Sequence, residues 1–144
     1  MAAPIEFTPS HLGHCVENLE RSLRFYCDGL GFEKRETYAI GNECRAALEV
    51  EGEVELVSQF IRRGTLAIEL LAYRSPSVVG EASTRRNQRG LTHLSFVVAD
   101  VDAPARSLVA CGGRLLPATR MGAGDPKAVQ LVFLADPDGA RIEL

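Results

Sequence analysis

Hydrophobic and polar residues alternate along this chain with two distinct periods, and these periods predict its secondary structure. Alternation at every second residue is typical of a strand with one buried face, and apolar residues three or four apart are typical of a helix. The first half is predicted to contain, in order, a strand over 10–17, a helix that Asn18 caps and Gly29 and Gly31 end, a strand over 32–40, and a hairpin with strands over 54–61 and 66–73. The stretch 43–49 is ambiguous between helix and strand, and we favour a short helix capped by Asn42.

The second half repeats this order after a polar segment at about 74–89. Its predicted elements are a strand over 91–99, a helix that Asp100 or Asp102 caps and Gly112 and Gly113 end, a strand over 114–119, a glycine-rich loop over 121–127, and a hairpin with strands over 129–135 and 140–144. We therefore expect a single domain over 1–144, with module 1 at about 9–73, a linker at about 74–89 and module 2 at about 90–144. Each module is a strand–helix–strand–strand–strand unit of the α+β class.

Two pairs of short motifs indicate that the halves are copies of one unit. His11-Leu12 and His93-Leu94 open the first strand of each half and lie 82 positions apart. Ile68-Glu69-Leu70 and Ile142-Glu143-Leu144 close each half and lie 74 positions apart. Each copy therefore carries one histidine near its beginning and one glutamate near its end.

These four polar residues predict a metal site. Side chains alternate between the faces of a strand, so each glutamate points away from its two apolar neighbours. A carboxylate in an otherwise apolar strand is costly without a partner. Imidazole nitrogen and carboxylate oxygen together suit Zn, Ni, Co, Mn or Fe(II). We therefore expect His11, Glu69, His93 and Glu143 to converge on one divalent ion.

Each of these residues also has an ordinary explanation when it is considered alone. A single histidine in an apolar strand is usually a hydrogen-bonded core residue, and a glutamate in a closing strand usually faces solvent. The repetition at paired positions is what favours the metal site. His14 lies in the same strand as His11, but the position 82 residues later is Phe96. We interpret His14 as a core histidine or as a residue that supports a ligand.

Composition and charge exclude several classes of protein. The net charge of −3 does not match the basic excess of a typical nucleic-acid-binding surface. No apolar run approaches the roughly 20 residues that span a bilayer, and the first residues lack the pattern of a secretory signal. The four cysteines contain no Cys-x-x-Cys motif, which favours reduced thiols. We expect a cytoplasmic protein with no nucleic-acid or membrane partner.

Several blocks of the sequence resemble the vicinal oxygen chelate superfamily, which includes glyoxalases, bleomycin-resistance proteins and extradiol dioxygenases. The blocks are His-Leu-Gly-His-Cys-Val at 11–16, Ile-Glu-Leu-Leu at 68–71, Gly-Leu-Thr-His-Leu-Ser-Phe at 90–96 and Asp-Pro-Asp-Gly at 136–139. The resemblance extends over residues 9–144. It implies two paired βαβββ modules that form a cup-shaped mixed β-sheet around one metal ion. It also implies that His11, Glu69, His93 and Glu143 are the ligands.

Within this superfamily, the set of two histidines and two glutamates most resembles lactoylglutathione lyase and methylmalonyl-CoA epimerase. Both reactions begin with abstraction of a proton next to a carbonyl and pass through an enediolate that the metal stabilises. The resemblance favours Glu143 as the base, with Glu69 as the second candidate. A non-catalytic binding or resistance protein is the main alternative. A small ring-cleaving dioxygenase is a further alternative, although the fourth ligand at Glu69 argues against it.

The substrate is less well defined by the sequence. Arg86, Asn87 and Arg89 resemble a run that contacts glutathione in lactoylglutathione lyases, and a solvent-exposed linker is an equally good interpretation of them. Asp28 occupies a position where those enzymes carry an arginine that binds a carboxylate. The expected partner is therefore a small molecule, either a thiol adduct or an acyl-CoA. The resemblance also implies a homodimer.

Overall fold

The computed structural model describes residues 5–144 and contains two four-stranded sheets, one from each half of the chain. The first comprises β1 (Leu12–Cys15), β2 (Glu33–Ile40), β3 (Glu55–Arg63) and β4 (Leu66–Ser75), and the second comprises β5 (Leu94–Ser95), β6 (Arg114–Met121), β7 (Leu131–Ala135) and β8 (Arg141–Glu143). Their strand orders are β1-β4-β3-β2 and β5-β8-β7-β6. In each sheet the first strand pairs in parallel with the last, and the other pairs are antiparallel. This confirms the α+β fold of two βαβββ modules.

Short helices connect the strands. The first is α1 (Leu19–Leu23), which continues as a π-helical segment (Arg24–Gly29). A 3₁₀ turn (Asn42–Cys44) then leads into α2 (Arg45–Leu48), and the second module contains α3 (Asp102–Ala110). Asn18 caps α1 as predicted, because its Oδ1 accepts a hydrogen bond of 3.0 Å from the backbone N–H of Arg21. The Asp100 carboxylate accepts hydrogen bonds from the backbone N–H groups of Asp102 and Ala103 at the start of α3.

Two sequence-based expectations need correction. The stretch 43–49 is helical, but Asn42 does not cap it, because its Oδ1 instead accepts a hydrogen bond of 2.8 Å from the N–H of Val54. The strand expected over 91–99 is reduced to β5, which has two residues. The physical reason is that β5 pairs only with β8, which is itself three residues long. Immediately after β5 the N–H of Phe96 still bonds to β8, donating to the carbonyl oxygen of Glu143 at 2.9 Å.

The two glycines after α3 have different functions. Gly112 adopts a φ of 101°, a left-handed conformation that favours glycine and ends the helix. At Gly113 a Cβ would lie 2.5 Å from Cε2 of Phe25 and 3.0 Å from the carbonyl oxygen of Leu108. Gly113 therefore permits close packing of the two modules, and this function is not visible in a helix-end pattern.

The two modules share one hydrophobic core. Phe25 and Tyr26 of the first module are fully buried, and they belong to the same cluster as Leu108, Leu134 and Ile142 of the second. The opposite faces of the sheets carry partly exposed side chains, among them Phe60, Phe133 and Tyr38. No helix among residues 5–144 has both the length and the apolar character needed to cross a membrane.

A buried carboxylate joins the two modules. The side chain of Asp136 is inaccessible to solvent, and its Oδ2 lies 2.8 Å from Nε2 of His14 and accepts a hydrogen bond of 2.9 Å from the hydroxyl of Tyr26. Its Oδ1 accepts hydrogen bonds from the N–H groups of Asp138 and Ala140. Both carboxylate oxygens are thus fully engaged by the protein. His14, whose side chain is 22% exposed, therefore belongs to this junction between the modules.

We expect that His14→Ala will lower the free energy of unfolding by about 1–3 kcal/mol, because it removes a hydrogen-bond partner from a buried carboxylate oxygen. Urea denaturation will measure the loss. Arg74→Ala is the matched control, since it removes an ion pair with Glu55 in which both side chains are more than half exposed. Such a pair contributes at most about 1 kcal/mol. Equal effects of the two substitutions would contradict the assigned role of His14.

The junction is also expected to make stability depend on pH. Burial alone would raise the pKa of the Asp136 carboxyl. The hydrogen bond and positive charge of His14, together with the hydrogen bonds from Tyr26 and Ala140, lower this pKa by more than burial raises it. The pKa of Asp136 therefore lies below its usual 3.8. Because the folded-state pKa is the lower one, ionised Asp136 stabilises the fold at pH values above 3.8. This contribution is lost as the pH falls through the lowered value.

The difference in unfolding free energy between the wild type and Asp136→Asn should therefore be largest near neutral pH and should shrink below pH 3.8. Urea denaturation across this range measures it, with Asp28→Asn at an exposed position as the control. A difference that stays constant down to the lowest pH would show that the charge of Asp136 does not stabilise the junction.

Candidate metal and substrate site

The first module places His11 beside Glu69. Nε2 of His11 lies 3.1 Å from Oε2 of Glu69, and the two side chains are 33% and 17% exposed. The hydroxyl of Ser10 lies 2.8 Å from Nδ1 of His11, and the hydroxyl of Ser58 donates a hydrogen bond of 2.5 Å to Oε1 of Glu69. The ring of Phe60 meets the imidazole edge to face, with their centroids 5.0 Å apart.

The second module builds the same arrangement around His93 and Glu143. Nε2 of His93 lies 3.5 Å from Oε2 of Glu143. The hydroxyl of Thr92 lies 2.8 Å from Nδ1 of His93, and the hydroxyl of Ser95 donates a hydrogen bond of 2.9 Å to Oε1 of Glu143. Phe133 packs edge to face on the imidazole at 5.3 Å. We call each arrangement of hydroxyl, histidine, glutamate, hydroxyl and phenylalanine a half-site.

Strand register explains why the half-sites are alike. Glu69 is paired with Gly13 across the parallel β1–β4 pair, and Glu143 is paired with Ser95 across the parallel β5–β8 pair. Each histidine lies two residues before the paired residue, so it shares a face with the glutamate. The antiparallel neighbour places Phe60 opposite Glu69 and Phe133 opposite Glu143.

One chain does not bring the two half-sites together. Among residues 5–144, no three donors from His11, Glu69, His93 and Glu143 lie within 4.8 Å of one another. The expectation that all four meet inside a single chain is therefore not met, because the shared core joins the modules through the opposite faces of their sheets. Their assignment as ligands of one metal ion stays a prediction.

The one group of three donors that does meet this distance in the described residues is His14, Asp136 and Asp138. Its carboxylates already accept hydrogen bonds from the protein. Asp136 accepts the four described above, and Asp138 accepts one of 3.0 Å from the N–H of Glu17 and one of 3.3 Å from the hydroxyl of Ser22. The geometry of this group is accounted for by the junction between the modules.

The three residues that the sequence proposed for the substrate lie before the second half-site. The guanidinium of Arg86 donates hydrogen bonds to the carbonyl oxygens of Thr92 and Ser83, so it supports the segment that leads into His93. Asn87 and Arg89 are exposed. Their contact with a substrate stays a prediction, and the structure gives Arg86 a supporting contact that the sequence did not reveal.

Two cavities differ in their relation to these residues. A cavity of ≈ 270 Å³ is lined by Ser95 and Glu143 together with the apolar residues that follow β5. A larger cavity of ≈ 590 Å³ lies between α3 and β6, and neither half-site lines it. Of these two cavities, the smaller one offers space next to a candidate catalytic group.

Sequence reasoning missed the residues that support each half-site. A hydroxyl residue precedes each histidine, as Ser10-His11 and Thr92-His93, and this repeat could have been read directly from the sequence. When Nε2 binds a metal, Nδ1 carries the proton and the adjacent hydroxyl oxygen can accept its hydrogen bond, which fixes the ring. The glutamate partners, Ser58 and Ser95, come from non-equivalent strands, so only the structure reveals them.

Comparisons with known proteins agree with this fold. The chain is 28% identical over 146 residues to 2-epi-5-epi-valiolone epimerase of Actinomyces sp, an alignment that covers 93% of this chain and 76% of the relative. It superposes on a glyoxalase family protein of Bacillus cereus with a TM-score of 0.81 at 18% identity, covering 100% of this chain and 96% of that one.

A fosfomycin resistance protein of Listeria monocytogenes, FosX, has a TM-score of 0.59 at 18% identity, with 97% of this chain and 92% of that one covered. Its structure contains Mn(II) and a sulfate ion. The family pattern described as Glyoxalase/Bleomycin resistance protein/Dioxygenase superfamily matches residues 8–144. Because this match covers nearly the whole chain, the chain belongs to the glyoxalase/bleomycin resistance protein/dioxygenase superfamily.

Proposed function

We propose that the protein is a metal-dependent lyase or isomerase that abstracts a proton next to a carbonyl group. The observation that carries this proposal is the duplicated half-site, in which each module presents an imidazole Nε2 and a carboxylate on the open face of its sheet. Two residues of this kind at unrelated positions would be unremarkable. Two copies with the same supporting hydroxyl and phenylalanine contacts indicate one shared function.

The donor set fits a divalent ion. Two imidazole nitrogens and two carboxylate oxygens suit the borderline metals Zn, Ni, Co, Mn and Fe(II). In both half-sites a hydroxyl lies next to Nδ1, which leaves Nε2 directed at the glutamate. Members of the superfamily commonly bind a divalent metal, such as Mn in FosX. A bound ion would supply a Lewis acid that polarises the carbonyl oxygen of the substrate.

We further propose that two copies of the chain combine their half-sites. The outer edges of β1 and β5 are not paired with another strand among residues 5–144. Leu91 and Val97, which alternation places on the same side as His93, are 84% and 102% exposed. If β1 of one protomer approaches β5 of its partner, this apolar surface is covered and both half-sites line one cup. A symmetric dimer then contains two equivalent sites.

Glu143 is the better candidate for the base. Glu69 is the less exposed of the two glutamates at 17%, and its Oε1 accepts a hydrogen bond from the fully buried Ser58. Glu143 is 27% exposed, accepts its hydrogen bond from exposed Ser95, and lines the ≈ 270 Å³ cavity. Glu143 can therefore turn towards a substrate carbon and take its proton, while Glu69 stays in place.

The substrate is proposed to be a small carbonyl compound carried as an acyl-CoA or as a thiol adduct. The acidic side chain of Asp28 argues against glutathione, because an anion does not bind a carboxylate. The similarity to an epimerase supports a reaction in which the proton is removed and returned. A non-catalytic binding protein would need the same cup but would not exchange a substrate proton with solvent.

Proton exchange tests the proposed reaction. We expect the metal-loaded protein to incorporate deuterium at the carbon next to the carbonyl when it is incubated with methylmalonyl-CoA in heavy water. Glu143→Gln should slow this exchange by about 10²–10⁴-fold, because a general base contributes that much. Mass spectrometry measures the label, and separate assays with methylglyoxal plus glutathione identify a lyase.

Glu17→Gln, whose side chain is 75% exposed, is the control and should leave the rate unchanged. Absence of exchange and of lyase turnover in the metal-loaded protein would exclude the proposal.

Mixing two defective variants tests the shared site. His11→Ala removes a ligand from module 1, and His93→Ala removes one from module 2. When both variants are unfolded, mixed in equal amounts and refolded, half of the dimers are mixed, and each mixed dimer has one intact site. About a quarter of the wild-type metal sites should therefore reappear.

Metal content after gel filtration gives the readout, and each variant refolded alone is the control. If both half-sites of one site came from the same chain, the mixture would bind no more metal than the separate variants. That outcome would reject the arrangement across two copies but not the reaction itself.

A further inference from the structure

The half-sites share the hydroxyl and phenylalanine contacts of their histidines, and they differ in the residues next to these contacts. In module 1 the residue two positions before Phe60 is Ser58, and its cross-strand partner is Tyr38. In module 2 the residue two positions before Phe133 is Leu131, and its cross-strand partner is Met121. Tyr38 and Met121 therefore occupy equivalent places on the two open faces.

Tyr38 extends an aromatic surface away from the first half-site. Its ring packs edge to face on Phe60 with centroids 6.0 Å apart, and Phe60 packs in the same way on His11 at 5.0 Å. The Tyr38 side chain is nevertheless 52% exposed. An unbroken series of rings thus leads from the histidine that is predicted to bind the metal to an open aromatic face.

Features that both modules share would serve the ion that both modules are proposed to hold. A feature that only one module carries breaks the twofold symmetry of the site, and a substrate is the component that lacks such symmetry. The aromatic surface of Phe60 and Tyr38 has no aromatic counterpart at Met121. Its location beside His11 means that a substrate chelated at the metal would extend its remaining atoms across these rings.

We propose that this surface determines specificity, and that the acyl or thiol-adduct substrate carries, beside the atoms chelated by the metal, a flat, unsaturated group such as an aryl ring or a conjugated alkene. The inference rests on the proposed metal site, because the metal would hold one end of the substrate and so place its other end near Tyr38. A flat group gains from aromatic rings in a way that a saturated group of similar size does not, because ring edges and faces carry complementary partial charges.

Hydroxamates test this inference without the need for turnover, because they chelate divalent metals and differ only in their side group. The protein is loaded with Co(II), and the visible absorption of the cobalt reports binding of acetohydroxamate, cyclohexanecarbohydroxamate and benzohydroxamate. We expect benzohydroxamate to bind about fivefold more tightly than the cyclohexane analogue, as aromatic contacts of this kind produce.

Substitutions at Tyr38 then locate the effect. Tyr38→Ala should bring the two affinities to within about twofold, while Tyr38→Phe should keep the preference because it retains the ring. Met121→Ala changes the equivalent exposed position of module 2 and should leave the preference intact. All variants should retain the cobalt content of the wild type, since neither position is a ligand.

The possible failures are distinguishable. If the wild type binds no cobalt, the proposed metal site fails and the inference fails with it. If cobalt binds but the aromatic and saturated hydroxamates have equal affinities, only the inference about Tyr38 is overturned. A preference that survives Tyr38→Ala and is lost in Met121→Ala would transfer the specificity to module 2 and would also overturn it.

Discussion

The parallel pairing between the first and last strand of each module is the constraint on which the candidate site depends. In β1–β4 and in β5–β8 the pairing sets the register so that a histidine and a glutamate from opposite ends of the module share one face. A shift of one residue in either pair would turn the glutamate into the core. The same register brings a phenylalanine opposite each glutamate, and this ring fixes the position of the imidazole.

One face of each sheet packs into the core, and the other face carries the histidine–glutamate pair. The inner faces, with the helices between them, form one core in which Phe25 and Tyr26 contact residues of the second module. The buried Asp136 adds directional hydrogen bonds to this junction, since His14 and Tyr26 belong to module 1 and the carboxylate to module 2. Because the junction uses the inner faces, the histidine–glutamate pairs remain on the outer faces. In the proposed dimer, a partner chain would supply the second half-site.

Duplication also separates the groups that would hold a metal from the groups that would select a substrate. Hydroxyl, histidine, glutamate and phenylalanine recur in both modules, as the proposed shared metal site requires. Tyr38 and Met121 differ although they hold equivalent register positions, and the proposed substrate specificity rests on this difference. Glu69 and Glu143 diverge as well, since the first is held by buried Ser58 and the second by exposed Ser95. This difference in burial is the basis for proposing Glu143 as the base.

The sequence alone determined the features that local pattern and repetition encode. Alternation and turn residues predicted two βαβββ modules, and the repeated His and Ile-Glu-Leu motifs singled out four candidate ligands before any contact was known. The tertiary structure decided what depends on contacts between distant residues. It shortened the strand expected over 91–99 to β5, because strand length depends on the partner β8. It also placed His14 against Asp136, 122 positions away, and left the two histidine–glutamate pairs apart within one chain. These outcomes follow from packing between modules, and packing is a property of the folded chain that no local sequence pattern carries.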